Sequence, residues 1–276
     1  MAVSLEGGCR VAEMREGVPV ENGTLRLWSR VSRANGAQAI SLRVLEFAPG
    51  LSPGLRNEGC DEILYVLESS DDLETGAVDE GGQDVSRKGA KPQRFEMFID
   101  GWPFEVSTQT GIYLRPGQTL TVNNPGSEPL ALISSQCPDP QTSAAEIVAA
   151  VTSPLSQAPP PPALVRLADR PAQPTADRWY RVLIDDAVGS TQVTQFVGSI
   201  PPGRAPDHFH NYEEVLFILR GSGRLWAGKS NTAISPGSCV YLPKGQVHCV
   251  ENTGASELRL LGVFYPAGSP SVRYDV

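Results

Sequence analysis

The two halves of this chain repeat each other, and that limits its fold more than any other feature. Trp28-Ser29-Arg30-Val31 is mirrored by Trp179-Tyr180-Arg181-Val182, and Pro49-Gly50 by Pro202-Gly203. The run DEILYVL from Asp61 is mirrored by EEVLFIL from Glu213, and YLRPGQTLTVNN from Tyr113 by YLPKGQVHCVEN from Tyr241. Matches in the same order within one chain mark a duplicated structural unit, so the fold of one half is the fold of the other. The matched runs are short, rich in Val, Ile, Leu, Tyr and Phe, and bounded by Gly and Pro, which is the pattern of strands joined by turns. The sequence therefore predicts an all-β protein with a few short helices. Its 276 residues, 40% of them apolar, suffice to build one or two ordinary cores.

Between the repeats lies Ser153–Ala163, containing the run APPPPA, whose prolines lack the amide donors a strand or helix interior needs. It reads as a stiff linker. The chain then divides into a strand-forming extension over 1–35, a first unit over 36–152, the linker over 153–163 and a second unit over 164–276. SAAEIVAAV over 143–151 has helical composition and a Ser or Thr to cap it, so a short helix is expected there. The repeats differ most between Ser69 and Gln109, where a polar, Gly-rich stretch reads as a surface loop or a lid before FEMFIDGWPFEV resumes strand character.

A net charge of −8 argues against nucleic acid, because phosphate binding needs clustered Lys and Arg. No continuous apolar run is long enough to span a bilayer, and the acidic start lacks the basic and apolar regions of a signal peptide. The five cysteines, Cys9, Cys60, Cys137, Cys239 and Cys249, are scattered without a CxxC pair, which reads as a reduced set. A cytoplasmic location follows as the expectation.

All three histidines of the chain fall within two short segments. In PGRAPDHFHNYEEVLFILRG, alternation along a strand sends His208 and His210 to the same side, and Glu214 can join them after a turn. GSCVYLPKGQVHCVEN adds His248. Three imidazoles and one carboxylate suit Fe(II), Mn(II), Ni(II) or Zn(II), and four protein ligands leave two octahedral positions for substrate or water. Glu213 should face away by alternation and take a structural or solvent role.

These segments resemble the two motifs of the cupin family. The first is filled at Gly203, His208, His210, Glu214 and Gly221, the second at Gly237, Pro243, Gly245, His248 and Asn252. The first half resembles the same fold, so the whole chain is similar to the bicupins. The resemblance implies two tandem double-stranded β-helix (jelly-roll) barrels, with one divalent transition metal ion in the C-terminal barrel and commonly a homodimer. The four glycines are expected at turns needing positive φ or close backbone approach.

Setting Glu62 on Glu214 without a gap puts Arg56 at His208, Glu58 at His210 and Leu120 at His248, with a shift of one position also open. No histidine becomes available either way, so no transition metal is expected in the N-terminal barrel. Arg56, Glu58 and Glu62 could form an ion pair or bind a polar ligand. Residues in phase with the ligands, Leu216, Ile218 and Val250, are expected to line the cavity. Arg181, Gln195, Trp226, Tyr241 and Phe264 are further lining candidates from other strands, and Arg181 or Arg204 could hold a carboxylate or phenolate.

Many cupins with this ligand set are oxygenases, so the resemblance implies a mononuclear non-haem dioxygenase acting on a small organic substrate. A non-redox lyase, isomerase or hydrolase is the alternative, and a non-catalytic binding or sensor module the third.

Overall fold

A computed structural model describes residues 1–68, 94–138, 146–160 and 163–275. It is all-β, with two similar barrels, each made of a large and a small sheet. Its helical elements are three-residue 3-10 turns. Among the described residues no helix is long and apolar enough to cross a membrane.

In the second barrel the large sheet runs, edge to edge, Val3–Ser4, Arg10–Glu13, Ser238–Leu242, Glu213–Arg220, Leu258–Tyr265, Thr194–Ile200, Arg178–Ile184, Gln173–Thr175. The facing sheet runs Ser230–Ile234, Gly223–Ala227, His248–Asn252, His208–Phe209, Tyr274–Asp275. In the first barrel the large sheet is Leu164–Arg166, Thr110–Leu114, Asp61–Val66, Leu130–Cys137, Leu42–Phe47, Leu25–Val31, Val20–Asn22. The small one is Trp102–Ser107, Arg94–Ile99, Thr119–Asn124, Gly54–Arg56, Glu146–Val148.

The barrels trade edge strands. Arg10–Glu13, which precedes the first barrel, pairs with Ser238–Leu242 of the second. Leu164–Arg166, which follows the linker, pairs with Thr110–Leu114 of the first. Each exchange covers an edge whose amides and carbonyls would otherwise lack partners. Leu25–Val31, assigned from sequence to the extension, is a strand of the first barrel.

Three apolar clusters follow from this arrangement. One fills the first barrel around Phe47, Leu64 and Val122, and another fills the second around Phe196, Leu225 and Phe264. The third lies between the barrels, where Ile63, Tyr65 and Ile133 meet Val197, Phe217 and Val263. Alternation explains it, because both faces of a central strand are buried and successive residues serve different cores. Glu213 takes part in this contact. It is buried, and its carboxylate accepts from the backbone amides of Gln38 (2.9 Å) and Ala39 (2.6 Å) and from the Tyr241 hydroxyl. Its role is to join the barrels, not to face solvent.

The four motif glycines, Gly203, Gly221, Gly237 and Gly245, all have positive φ. At Gly221 (φ 80°) an added Cβ would also lie 2.9 Å from Leu258 Cα and 3.0 Å from Glu257 O, so both backbone and neighbour exclude a side chain. Asn252 donates to the Ile200 and Ser256 carbonyls and accepts from Gly254 N. Asn124 does the same with Phe47, Glu128 and Gly126, which makes the repeat visible atom by atom.

Two expectations are corrected. Residues 146–148, inside the expected helix over 143–151, form a strand paired with Gly54–Arg56. An isolated helix of that length is marginal in water, whereas a sheet edge supplies partners at once. The matched Trp28 and Trp179 are not structurally equivalent. Both strands enter a 3-10 turn capped by Ser32 or Asp185 and closed by Gly36 or Gly189, and counting back from these turns sets Trp28 on Arg181. The loop or lid reading of Ser69–Gln109 falls largely on 69–93, outside the described residues. From Arg94 onward the chain forms the expected hairpin, turning at Asp100-Gly101, both with positive φ.

Candidate metal centre

His208 and His248 face each other as register partners on adjacent strands of the small sheet, and His210 follows two residues after His208. One ring nitrogen of each lies within 4.8 Å of the others, so the three form a group that could hold one metal ion. The second nitrogen is committed in every ring. His208 Nδ1 bonds the Pro206 carbonyl at 2.9 Å, His248 Nδ1 the Gln246 carbonyl at 2.8 Å, and His210 Nδ1 the Val272 carbonyl at 3.1 Å. A carbonyl only accepts, so Nδ1 carries the proton and Nε2 is left as a lone-pair donor facing the centre. Imidazoles that bind metals are commonly oriented this way.

Glu214 comes from the opposite sheet. It is buried, and its Oε2 lies 3.7 Å from His210 Nε2. Burial pushes its carboxyl up to about 8. Burial, reinforced by the neighbouring imidazoles, lowers His210 to about 3 and His248 to about 4. A site with neutral imidazoles and a carboxyl reluctant to ionise without a cation is chemically suited to a divalent ion.

The support around these groups is specific. Gly245 N–H donates to the His210 carbonyl at 2.8 Å, tying the second motif to the first. Tyr212 stacks on His210 at 4.6 Å and on Phe264 at 4.3 Å. Cys249 points away from its neighbour His248, with Sγ 3.3 Å from Arg204 Nε, and burial lifts its thiol to about 11. All five cysteines are buried thiols.

A cavity of ≈ 130 Å³ opens over the histidines. Leu216 and Val250 line it, as do Phe196, Leu242 and Leu260, with Arg178 and Arg273 among its polar groups. The other expected lining residues lie elsewhere. Gln195 faces outward and donates to Leu64 O of the first barrel, because Phe196, Gly198 and Ile200 hold the inward phase of that strand. Tyr241 is turned to Glu213, and Trp226 Nε1 donates to Glu251 Oε2 at 2.7 Å. Ile218 and Phe264 are buried in the same apolar cluster as the wall residues but do not line the cavity. Arg181 donates to Leu167 O and lies over Trp179, while Arg204 lies over Trp226 and pairs with Asp207 at 3.0 Å.

The first barrel fills the same positions differently. Leu55 pairs with Leu120 as His208 pairs with His248, so the one-residue shift applies and Asn57 takes the place of His210. Glu62, in the place of Glu214, is buried and ion-paired with Arg43, accepts from Ser134 Oγ at 2.6 Å, and accepts from Asn57. Register sets Arg43 on Phe196 and Ser134 on Gly262. Arg56 and Glu58 form a separate, exposed pair at 2.6 Å.

Residues 196–264 match the Cupin domain family. The chain is 32% identical over 87 residues to auxin-binding protein T92 of Nicotiana tabacum, covering 27% of this chain and 46% of that protein. It is 30% identical over 83 residues to auxin-binding protein 1 of Arabidopsis thaliana, covering 26% and 42%. The match thus spans less than half the length of these relatives. Among solved structures, an oxalate decarboxylase mutant from Bacillus subtilis superposes with a TM-score of 0.69 at 12% identity, covering 96% of this chain and 79% of that one. The formate complex of Lactobacillus farciminis oxalate decarboxylase gives 0.67 at 12%, covering 94% and 87%. The Cupin domain match thus falls on the second barrel, where the three histidines gather, and the chain as a whole shares the two-barrel jelly-roll fold of these structures.

Proposed function

We propose that the second barrel is a mononuclear metal centre, with His208, His210, His248 and Glu214 as ligands, that acts on a small organic acid. The observation that carries this reading is the convergence of three imidazoles, each with Nδ1 tied to a carbonyl, at the base of a cavity. A divalent transition ion would supply Lewis acidity there and, as iron or manganese, the electron transfer that dioxygen chemistry needs. The chain's own residues do the rest. The apolar wall of Phe196, Leu216, Leu242, Val250 and Leu260 excludes water, and its volume is close to the about 150 Å³ that admits benzene. Arg178 and Arg273 supply positive charge suited to a carboxylate.

Within this reading the reaction is an oxygen-dependent oxidation or ring cleavage. Turnover of small carboxylic acids and phenols by metal-loaded protein, with and without oxygen, tests it, and unchanged turnover under anaerobic conditions removes it. The fold shared with oxalate decarboxylases favours a second reading, a lyase that breaks a carbon–carbon bond next to a carboxylate. The segment shared with auxin-binding proteins favours a third, reversible ligand binding without turnover. In that case a small acid would raise the melting temperature of the metal-loaded protein yet be recovered unchanged. A homodimer belongs to the same proposal, and a light-scattering mass near 29.6 kDa at micromolar concentration would overturn that part.

A further inference from the structure

His208 and His248 take their orienting carbonyls from two residues upstream, in the loops that lead into their own strands. His210 alone takes its carbonyl from 62 residues away, at Val272. Val272 lies in a short segment held at both ends. At one end Gly268 is fixed to Thr194, whose Oγ1 donates to Gly268 O (3.1 Å) and accepts from Gly268 N (3.2 Å). At the other end, Tyr274–Asp275 pairs with His208–Phe209, and the Tyr274 ring stacks on Phe209 at 5.3 Å.

Between these anchors the chain turns, with Val272 N donating to Ser269 O, and Pro270, Ser271 and Arg273 form part of the cavity wall. Val272 is 46% exposed, so apolar burial of its side chain does not account for its placement, whereas its carbonyl points inward to the imidazole. The first barrel repeats the arrangement, with Glu146–Val148 paired on Gly54–Arg56 in the corresponding place. The segment is therefore an element of the duplicated fold.

We propose that residues 269–275 form a strap that positions His210 for metal through the Val272 carbonyl and closes one side of the cavity. This rests on the metal reading above. Val272 is a positioning residue that acts through His210, holding the Nδ1 proton and thereby keeping Nε2 a donor. Partners of this kind, when removed, typically weaken metal binding by about 10–100-fold.

The test is calorimetric titration of the metal-free protein with Zn²⁺ and with Mn²⁺ alone, comparing the full chain, a chain ending at Gly268, Tyr274→Ala and Tyr274→Phe. The full chain should bind one ion, the shortened chain about 10–100-fold more weakly, Tyr274→Ala in between, and Tyr274→Phe as the full chain does. Nitrogen-15 NMR should show the His210 Nδ1 proton in the full chain and its loss in Tyr274→Ala. Equal affinity for all four, or an unchanged His210 signal in Tyr274→Ala, would overturn the proposal. Should the shortened chain not fold, the two Tyr274 variants decide. If the full chain takes up no ion, the metal reading falls, and the NMR comparison still decides whether the strap holds His210.

Discussion

The imidazole of His210 lies flat against the phenol ring of Tyr212, with centroids 4.6 Å apart and planes 9° from parallel. Phe264 in turn stacks on Tyr212, so the His210 ring is backed by two aromatic layers that fix its tilt. Tyr212→Ala should weaken metal binding by about 3–10-fold and cost about 3–5 kcal/mol of stability, as expected for removal of a buried aromatic. Tyr212→Phe keeps the stack and should bind as the parent does. Calorimetric titration and urea denaturation of both variants check this, and equal loss in the two would mean the hydroxyl, not the stack, carries the effect.

The same burial that prepares the centre sets how the metal-free protein responds to pH. His210 and His248 are lowered to about 3 and about 4 from an ordinary value of 6.5, while Glu214 is raised to about 8 from 4.5. Between pH 4.5 and 6.5 the unfolded chain holds two protons on the histidines that the folded chain lacks, and the folded chain holds one on Glu214. Unfolding thus takes up one net proton, and stability from these groups rises with pH by roughly 1.4 kcal/mol per unit. Between pH 6.5 and 8 only Glu214 differs, the folded state holds the extra proton, and stability falls by a similar slope. Chemical denaturation of chelator-treated protein should show a maximum near pH 6.5. Saturating Zn²⁺ should abolish the alkaline decline, since the cation keeps Glu214 ionised.

In the first barrel the corresponding carboxylate is neutralised within the fold. Arg43 and Glu62 are 1% and 2% exposed and ion-paired, with Ser134 and Asn57 also donating to Glu62. Removing one partner leaves a buried charge uncompensated, so Glu62→Gln or Arg43→Met should cost about 3–5 kcal/mol. Replacing both, Arg43→Met with Glu62→Leu, should restore most of that loss. Denaturant midpoints of the three variants measure it, and an additive loss in the double variant would contradict the buried-pair account.

What the sequence disclosed and what it hid divide along local against distant pattern. The three histidines and Glu214 were legible as a group because each lies in a short motif, with strand alternation aiming His208 and His210 together and glycines marking the turns. The cavity wall was harder, because choosing Phe196 over Gln195 requires knowing which face of a doubly buried strand looks inward. Both residues are buried, one in the barrel and one toward its neighbour. The shift that puts Asn57, not Glu58, beside Glu62 depends on strand register. The Val272 carbonyl has no residue-type signature at all, since any residue supplies a carbonyl.

Glu213 offers a test of whether the two barrels behave as one cooperative unit. Its carboxylate receives two amides from the first barrel and the Tyr241 hydroxyl from the second, beside an apolar cluster that both barrels share. Glu213→Ala leaves the amides of Gln38 and Ala39 without their acceptor, and each buried unpaired donor costs about 1–3 kcal/mol. The variant should therefore unfold at lower denaturant, while its metal affinity stays within about twofold of the parent, an RT ln 2 effect below about 0.5 kcal/mol. Because the shared cluster is continuous, both barrels should still unfold in one transition, detected equally by Trp28 and Trp102 in the first barrel and by Trp179 and Trp226 in the second. Single-tryptophan variants with separated midpoints would show instead that the shared core is too weak to couple the barrels, and that Glu213 contributes a larger part of their association than its three hydrogen bonds suggest.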